Sequence, residues 1–289
     1  MIYLKSKALS VNTNKAYKNV ITYYKQFCTS HGISVSLPFH VIHVKKYIAY
    51  LFTSHYAVST ALTHMSAISF YHKINGFSFS DPTKDFQVQH MLKGYKNSQS
   101  NSLVKLPFSL NDLASLVKGL PLLFHDFYCV TLFSAMIVFG FFLGLRIGEM
   151  TVSEHNLDIS DISMLQDSIK IVFRSFKHSK SSSVYILKAR NDFLCPHTAM
   201  TNYLKLRNDI VGPLFLLNNK AVSGSFFSKK FKQLLVQTGF DAKKFSPHSL
   251  RISAARMWAS QGLSDAQIRL LGRWHSNAFK CYLKGVIYH

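Results

Sequence analysis

Between Asp126 and Arg146 the sequence runs for nineteen residues, 127–145, without a charge, and no other feature restricts the fold as strongly. A stretch of that length can cross a bilayer. It can equally be the central helix of a large core, apolar on every side because every side is covered. Thr131, Ser134, Gly140 and Gly144 dilute the stretch and no second one follows, so a buried helix is the preferred reading and no membrane partner is expected. With 289 residues, 48% of them hydrophobic, the chain can bury one large or two modest cores.

Charge narrows the class further. The 34 Lys and Arg against 13 Asp and Glu leave a net charge of +21, more than solubility requires, and a polyanionic partner follows, nucleic acid before a membrane surface. The basic residues are also segregated by type. All eight arginines lie after residue 145, whereas the first hundred residues hold eleven Lys, two Asp and no Glu or Arg. Lysine is a flexible point charge suited to following a phosphate backbone, and arginine is a planar fork that can hold two phosphate oxygens together. The four cysteines, Cys28, Cys129, Cys195 and Cys281, are too widely spaced for a zinc ribbon or redox pair. Reduced, buried thiols in an intracellular protein are expected.

The first hundred residues read as four short helices. Tyr17, Val20, Ile21, Tyr24, Phe27 and Cys28 share one face of the first, and similar patterns cover 41–52, 60–74 and 83–95, the last after Asp81-Pro82. Past a polar stretch come a helix near 110–118 and the apolar helix. The one clear β-signal follows: Ile169, Ile171 and Phe173 alternate with Lys170, Val172 and Arg174, and a serine-rich turn leads to Val184-Tyr185-Ile186-Leu187, a hairpin. Helices return from Pro196, one starting at Ser246-Pro247. The expected organisation is a helical domain over 1–100, a linker over 101–107 and a second domain over 108–289, mainly α with a small β-hairpin or sheet.

Several residues carry chemistry. His248 and Arg251 form H-x-x-R in the first turns of a helix, where the N-terminus already favours an anion. Arg146 ends the most apolar segment, and a charge there must meet an anion or a carboxylate; Glu149, three residues on, is one structural partner. Tyr282 lies in a short capped helix after Gly272-Arg273-Trp274-His275.

His248-x-x-Arg251, Gly272-Arg273-Trp274 and Tyr282, preceded by Gly144-Leu145-Arg146-Ile147-Gly148-Glu149, together resemble the tyrosine recombinase and integrase family, whose members cut and rejoin DNA. The resemblance covers most of the chain. The Gly-Arg-Trp form and Asp81-Pro82-Thr83 look most like eukaryotic mobile-element versions such as Cryptons and DIRS-type retroelements. It implies an N-terminal helical core-binding domain that clamps DNA and a tyrosine-recombinase-like catalytic domain.

Carried over residue by residue, the resemblance makes Tyr282 the nucleophile, Arg146 and Arg251 the clamp on the scissile phosphate, and His248 the base or proton acceptor. Lys177 in the hairpin is the acid for the leaving group, with Lys180 second, and Glu149 supports the first arginine. The family's His or Trp position is assigned to Trp274, whose indole N–H can donate to a phosphate oxygen, with Arg273 and His275 as rivals. No metal and no cofactor are implied. The partners are double-stranded DNA and three further copies of the chain, a homo-tetramer on paired sites, and the location is intracellular and DNA-associated, nuclear if eukaryotic. The alternative is a non-catalytic DNA-binding protein derived from such an enzyme.

Chemistry asks for the same residue types. A phosphodiester is anionic and repels attack, so guanidinium groups that tighten on the transition state supply the missing charge. A free tyrosine has a pKa of about 10, so a base or a positive field must help it ionise.

Overall fold

The computed structural model describes residues 8–99, 105–174 and 182–283. They fall into two compact units, one within Met1–Ser102 and the other within Leu103–His289.

The first unit has four helices, α1 (Val11–Ser30), α2 (Val41–Thr53), α3 (Val58–Ile74) and α4 (Phe86–Ser98), with α1 against α3 and α2 against α4. Its core is the apolar face read from the sequence, Ile21, Tyr24, Phe27 and Cys28, closed by Val44, Tyr47, Ile48, Leu51, Ile68, Val88 and Leu92. The start of α4 differs from the expectation. Asp81 accepts the Thr83 N–H at 3.0 Å and caps only a 3-10 turn, Pro82–Lys84. Asp85 accepts from Gln87 and Val88 at 2.9 and 3.2 Å and starts the α-helix three residues later than predicted. Two aspartates four residues apart each offer a cap, and the one followed by the apolar period takes the helix.

In the second unit α5 (Leu110–Leu123) opens on a capping box between Ser109 and Asp112. Next comes α6 (Phe127–Phe142), the apolar helix, with Asp126 capping Tyr128 and Cys129. Its sixteen residues span about 24 Å, and among the described residues no helix is long and apolar enough to cross a membrane. It is covered by α5, by α7 (Pro196–Leu206) and by α9 (Pro247–Ser260). Phe133, Met136, Ile137 and Phe139 are therefore wholly buried, each stabilising the fold by roughly 1.5–3 kcal/mol.

The predicted hairpin is present as β2 (Ser168–Phe173) and β3 (Ser183–Lys188), antiparallel with Ile171 opposite Tyr185. Ile169, Ile171 and Phe173 face the core. A third strand, β1 (Ile162–Met164), pairs with the other edge of β2. A second, two-residue pairing joins β4 (Leu216–Leu217) to β5 (Lys220–Ala221) across Asn218-Asn219, both at positive φ. Neither was legible, because two or three residues cannot display a period of two. The unit is completed by α8 (Gly224–Gln237) and α10 (Asp265–Leu271), followed by a 3-10 turn, Asn277–Tyr282.

Two further expectations meet the structure here. Residues 105–107 of the predicted linker belong to the second unit, where the Leu106 N–H donates to the Lys244 carbonyl at 2.8 Å. All four thiols are free, but only Cys28 and Cys195 are buried; Cys129 is half-buried and Cys281 exposed. Cys281 lies in the 3-10 turn with Phe279 as the inward residue, so its side chain faces outward.

Candidate active site

The end of α6 builds the floor of the site. Gly144 adopts φ +55° as a left-handed helix cap, and a side chain there would meet Trp258 and Ala254 at 3.0–3.1 Å. The turn leaves the carbonyls of Leu143 and Gly144 pointing away from the helix, at the negative end of its dipole. Two buried arginines use them. Arg251, 1% exposed, donates through Nη1 to Gly144 and through Nη2 to Gly272. Arg273, 2% exposed, donates to Leu143 and Gly144 at 3.3 Å and to Leu271 at 2.9 Å.

Glu149 lies between the arginines. Its carboxylate pairs with Arg273 Nη2 at 2.8 Å and Arg146 Nη1 at 2.9 Å, and it also accepts the Arg146 backbone N–H at 2.8 Å. Burial opposes its charge, but Arg273, Arg251 and Arg146 outweigh burial and hold its pKa near about 2. Glu149 is thus the partner of Arg146 foreseen from sequence, with Arg273 as a second claimant that was not. Arg146 also donates Nη2 to the Arg273 carbonyl at 2.6 Å.

Above this floor opens a cleft of about 570 Å³, lined among others by Arg146, His248, Arg251, Trp274, His275 and Tyr282. Arg251 reaches it from the first turns of α9, its guanidinium 4.1 Å from the centre of the Trp274 ring. Burial first, then Arg146 and Arg273, push the Arg251 pKa down to about 9, which leaves it a cation at neutral pH. His248 stands one turn earlier on the same face, and its Nε2 lies 3.0 Å from the Tyr282 hydroxyl. Burial, Arg251 and Arg146 lower the His248 pKa, so the ring is neutral at pH 7 and able to take a proton. Burial and then Cys281 raise the pKa of Tyr282, while Arg251 and Arg146 pull it back.

Trp274 packs on the turn that carries Tyr282, with ring centroids 5.4 Å from Phe279 and 6.2 Å from Tyr282. Gly272 makes room for it, since a Cβ there would fall 1.5 Å from the indole ring. Of the three rivals for the His/Trp position, Trp274 and His275 line the cleft. Arg273 lies beneath it. Lys177 and Lys180 lie outside the described residues.

Sequence reasoning missed several contributors. Arg256, five residues beyond Arg251 on α9, donates Nε to the Tyr282 carbonyl at 2.7 Å and pins the backbone there. Ser228 of α8 and Ser276 also line the cleft. Neither serine lies in a recognisable motif, and Arg256 has no spacing signal that separates it from a surface arginine. Among the described residues no group of three His, Cys, Asp or Glu side chains is placed to hold a metal.

Comparison with known proteins adds an independent finding. The phage integrase family matches residues 133–282, a span that contains every residue of the cleft named above. No curated protein matches the chain. Solved structures do. XerH site-specific recombinase bound to palindromic difH substrate, in a post-cleavage complex, aligns with TM-score 0.68 and 14% identity over 94% of this chain and 76% of that one. A lambda integrase dimer bound to a COC′ core site aligns with TM-score 0.67 and 13% identity over 99% and 76%. The Tn1549 transposon integrase in complex with circular intermediate DNA aligns with TM-score 0.66 and 15% identity over 98% and 91%. At these identities the likeness is one of fold.

Proposed function

Because this chain belongs to the phage integrase family, the tyrosine recombinases that cleave and rejoin DNA strands, we propose that Tyr282 is its nucleophile and that the cleft around it holds the scissile phosphate. One observation carries the reading: the Tyr282 hydroxyl is hydrogen-bonded to a neutral His248 in a cleft walled by Arg146 and Arg251, all within one chain.

Arg146 and Arg251 hold the non-bridging oxygens and tighten as charge builds on them in the trigonal-bipyramidal transition state. The Tyr282 oxygen attacks phosphorus and its proton passes to Nε2 of His248. The bond from phosphorus to the 5′-oxygen breaks, and that oxygen takes a proton from Lys177. The DNA is left joined through a 3′-phosphotyrosine, which keeps the energy of the diester, so a second 5′-hydroxyl can reverse the steps and reseal the strand. Trp274 donates its indole N–H to the phosphate. Glu149 orients Arg146. The guanidinium pair supplies the charge the reaction needs, and in this reading no metal takes part.

The lysine-rich helical domain clamps duplex DNA by its phosphates, and strand exchange takes place in a tetramer on paired sites. The Gly272-Arg273-Trp274 and Asp81-Pro82-Thr83 signatures support a eukaryotic mobile-element origin and a nuclear site of action. The test is covalent capture from a pool of nicked duplexes of random sequence. The native chain is expected to form adducts that survive denaturation, with or without EDTA, and Tyr282→Phe none. If no duplex is captured, or if Tyr282→Phe captures as well, the nucleophile assignment is wrong. Salt-dependent binding without capture on any sequence points to the non-catalytic alternative.

A further inference from the structure

We infer that Arg273 is a positioning residue for strand cleavage, acting through Arg146 rather than on the phosphate, an assignment that rests on the recombinase reading above. Its side chain is 0% exposed and paired with Glu149, and unlike Arg251, which is as deeply buried but lines the cleft, Arg273 is not among the cleft-lining residues. Both ends of the residue serve Arg146. The side chain holds both oxygens of Glu149, Nη2 at 2.8 Å and Nε at 3.3 Å. The backbone carbonyl accepts Arg146 Nη2 at 2.6 Å. That carbonyl is aimed by a left-handed backbone, φ +54°, a conformation uncommon for a residue with a Cβ.

Charge counting gives the reason for such an arrangement. Arg146, Arg251, Arg273 and Glu149 together carry a net two positive charges. With Arg273 present, the carboxylate is neutralised from below, and Arg146 is oriented by Glu149 without being spent on it. Without Arg273, Arg146 would be the remaining ion-pair partner of Glu149, and the cleft would meet the phosphate with one positive charge fewer. The same guanidinium lies 4.1 Å from the centre of the Phe173 ring on β2 and 5.5 Å from that of Tyr185 on β3. Tyr185 in turn donates its hydroxyl to the Leu270 carbonyl at 2.7 Å. Arg273 thus joins the sheet, the end of α6 and the segment that leads to Tyr282, and it fixes Arg146 at the place where the three meet.

The experiment separates this claim from the reading beneath it. Covalent capture by the native chain comes first, and failure there sinks the recombinase reading without reaching Arg273. On a captured duplex, Arg273→Gln is expected to form adduct about 100-fold more slowly in single turnover, with affinity for the intact duplex within about threefold of native. Placed in an Arg146→Lys background, the same change should cost no more than about threefold, because the residue it acts through is already impaired. Arg273→Lys keeps a buried cation but loses the fork, and it answers the question if the glutamine variant does not fold. It should lose about tenfold, again only when Arg146 is intact. Adduct formation within about threefold of native in either folded variant overturns the inference. So do losses that multiply in the Arg146→Lys background, or a loss of DNA affinity as large as the loss of rate.

Discussion

Each unit contains a tyrosine hydroxyl bonded to a histidine ring, at nearly the same distance: Tyr47 to His64 Nδ1 at 2.8 Å in the first, Tyr282 to His248 Nε2 at 3.0 Å in the second. Their surroundings differ. Tyr47 is 1% exposed and packed among Tyr24, Phe27 and Tyr50, with ring centroids at 5.0, 5.0 and 6.2 Å. Burial and neighbouring tyrosines push its pKa far above that of a free phenol, and no cation counters them. Tyr282 opens to a cleft, and Arg251 and Arg146 act against the burial that raises it. A His–Tyr hydrogen bond is a packing device when it stands among aromatic rings, and it becomes a candidate proton-transfer pair when two guanidiniums stand beside it.

The largest expected effect tests that contrast directly. Tyr282→Phe should reduce adduct formation below detection, whereas Tyr47→Phe should leave its rate within about twofold and cost about 1 kcal/mol of stability for the lost hydrogen bond, read from urea denaturation. An equal loss of cleavage in both would erase the distinction.

A second pair compares two buried arginines. Arg207, 7% exposed, donates to the carbonyls of Leu214, Asn208, Ile210 and Pro213, at 2.7–3.0 Å. It is satisfied much as Arg251 is, but away from the cleft. Arg251→Lys should slow adduct formation by roughly 100- to 1,000-fold, the scale of removing a transition-state donor. Arg207→Lys should lower thermal stability and leave the rate per folded molecule unchanged. A comparable rate loss at Arg207 would mean that burial, not placement at the cleft, governs the effect.

Acidity separates the units next. His248 must be neutral to accept a proton and its pKa is lowered, so the adduct rate should hold through pH 7 and fall only below the ordinary histidine value of about 6.5. His248→Gln should remove that acid limb; a limb that persists assigns it elsewhere. In the first unit His64 and His72 are also held below their ordinary value, chiefly by burial. The unfolded chain binds more protons there, so their contribution to stability is present above about pH 6.5 and is lost as pH falls toward their folded values. The urea midpoint of the first unit should drop between pH 7.5 and 5. A flat profile would contradict the burial of both rings.

Two glycines give the smallest effects. Gly272→Ala places a methyl inside the Trp274 ring and should cost roughly 1–3 kcal/mol of stability while slowing cleavage. Gly94, inside α4 with nothing within 4 Å of where a Cβ would stand, should tolerate alanine and gain about 0.5–1 kcal/mol. Thermal midpoints that move in the same direction for both would refute the packing argument.

Much of this architecture was readable because it is local. The 3.6-residue period of α1 and the alternation of β2 are set within a few residues by backbone geometry and apolar burial. The candidate site residues were readable as types, since phosphate chemistry asks for guanidinium, imidazole and phenol, and their positions came from the family resemblance. Arg273 was read only as a rival to Trp274 for the phosphate. Its engagement with Glu149, Phe173 and Tyr185 joins residues 88 to 124 positions away and leaves no periodic trace.

The sequence by itself determined which segments would be helical, which helix would be buried on every side, and how much positive charge the chain must carry to a partner. Only the tertiary structure decided which arginine is held under the cleft on Glu149 and which one bonds the Tyr282 backbone. Those roles depend on electrostatic interactions that fall off over a few ångströms, between side chains that meet only after α6, the sheet and α9 have packed.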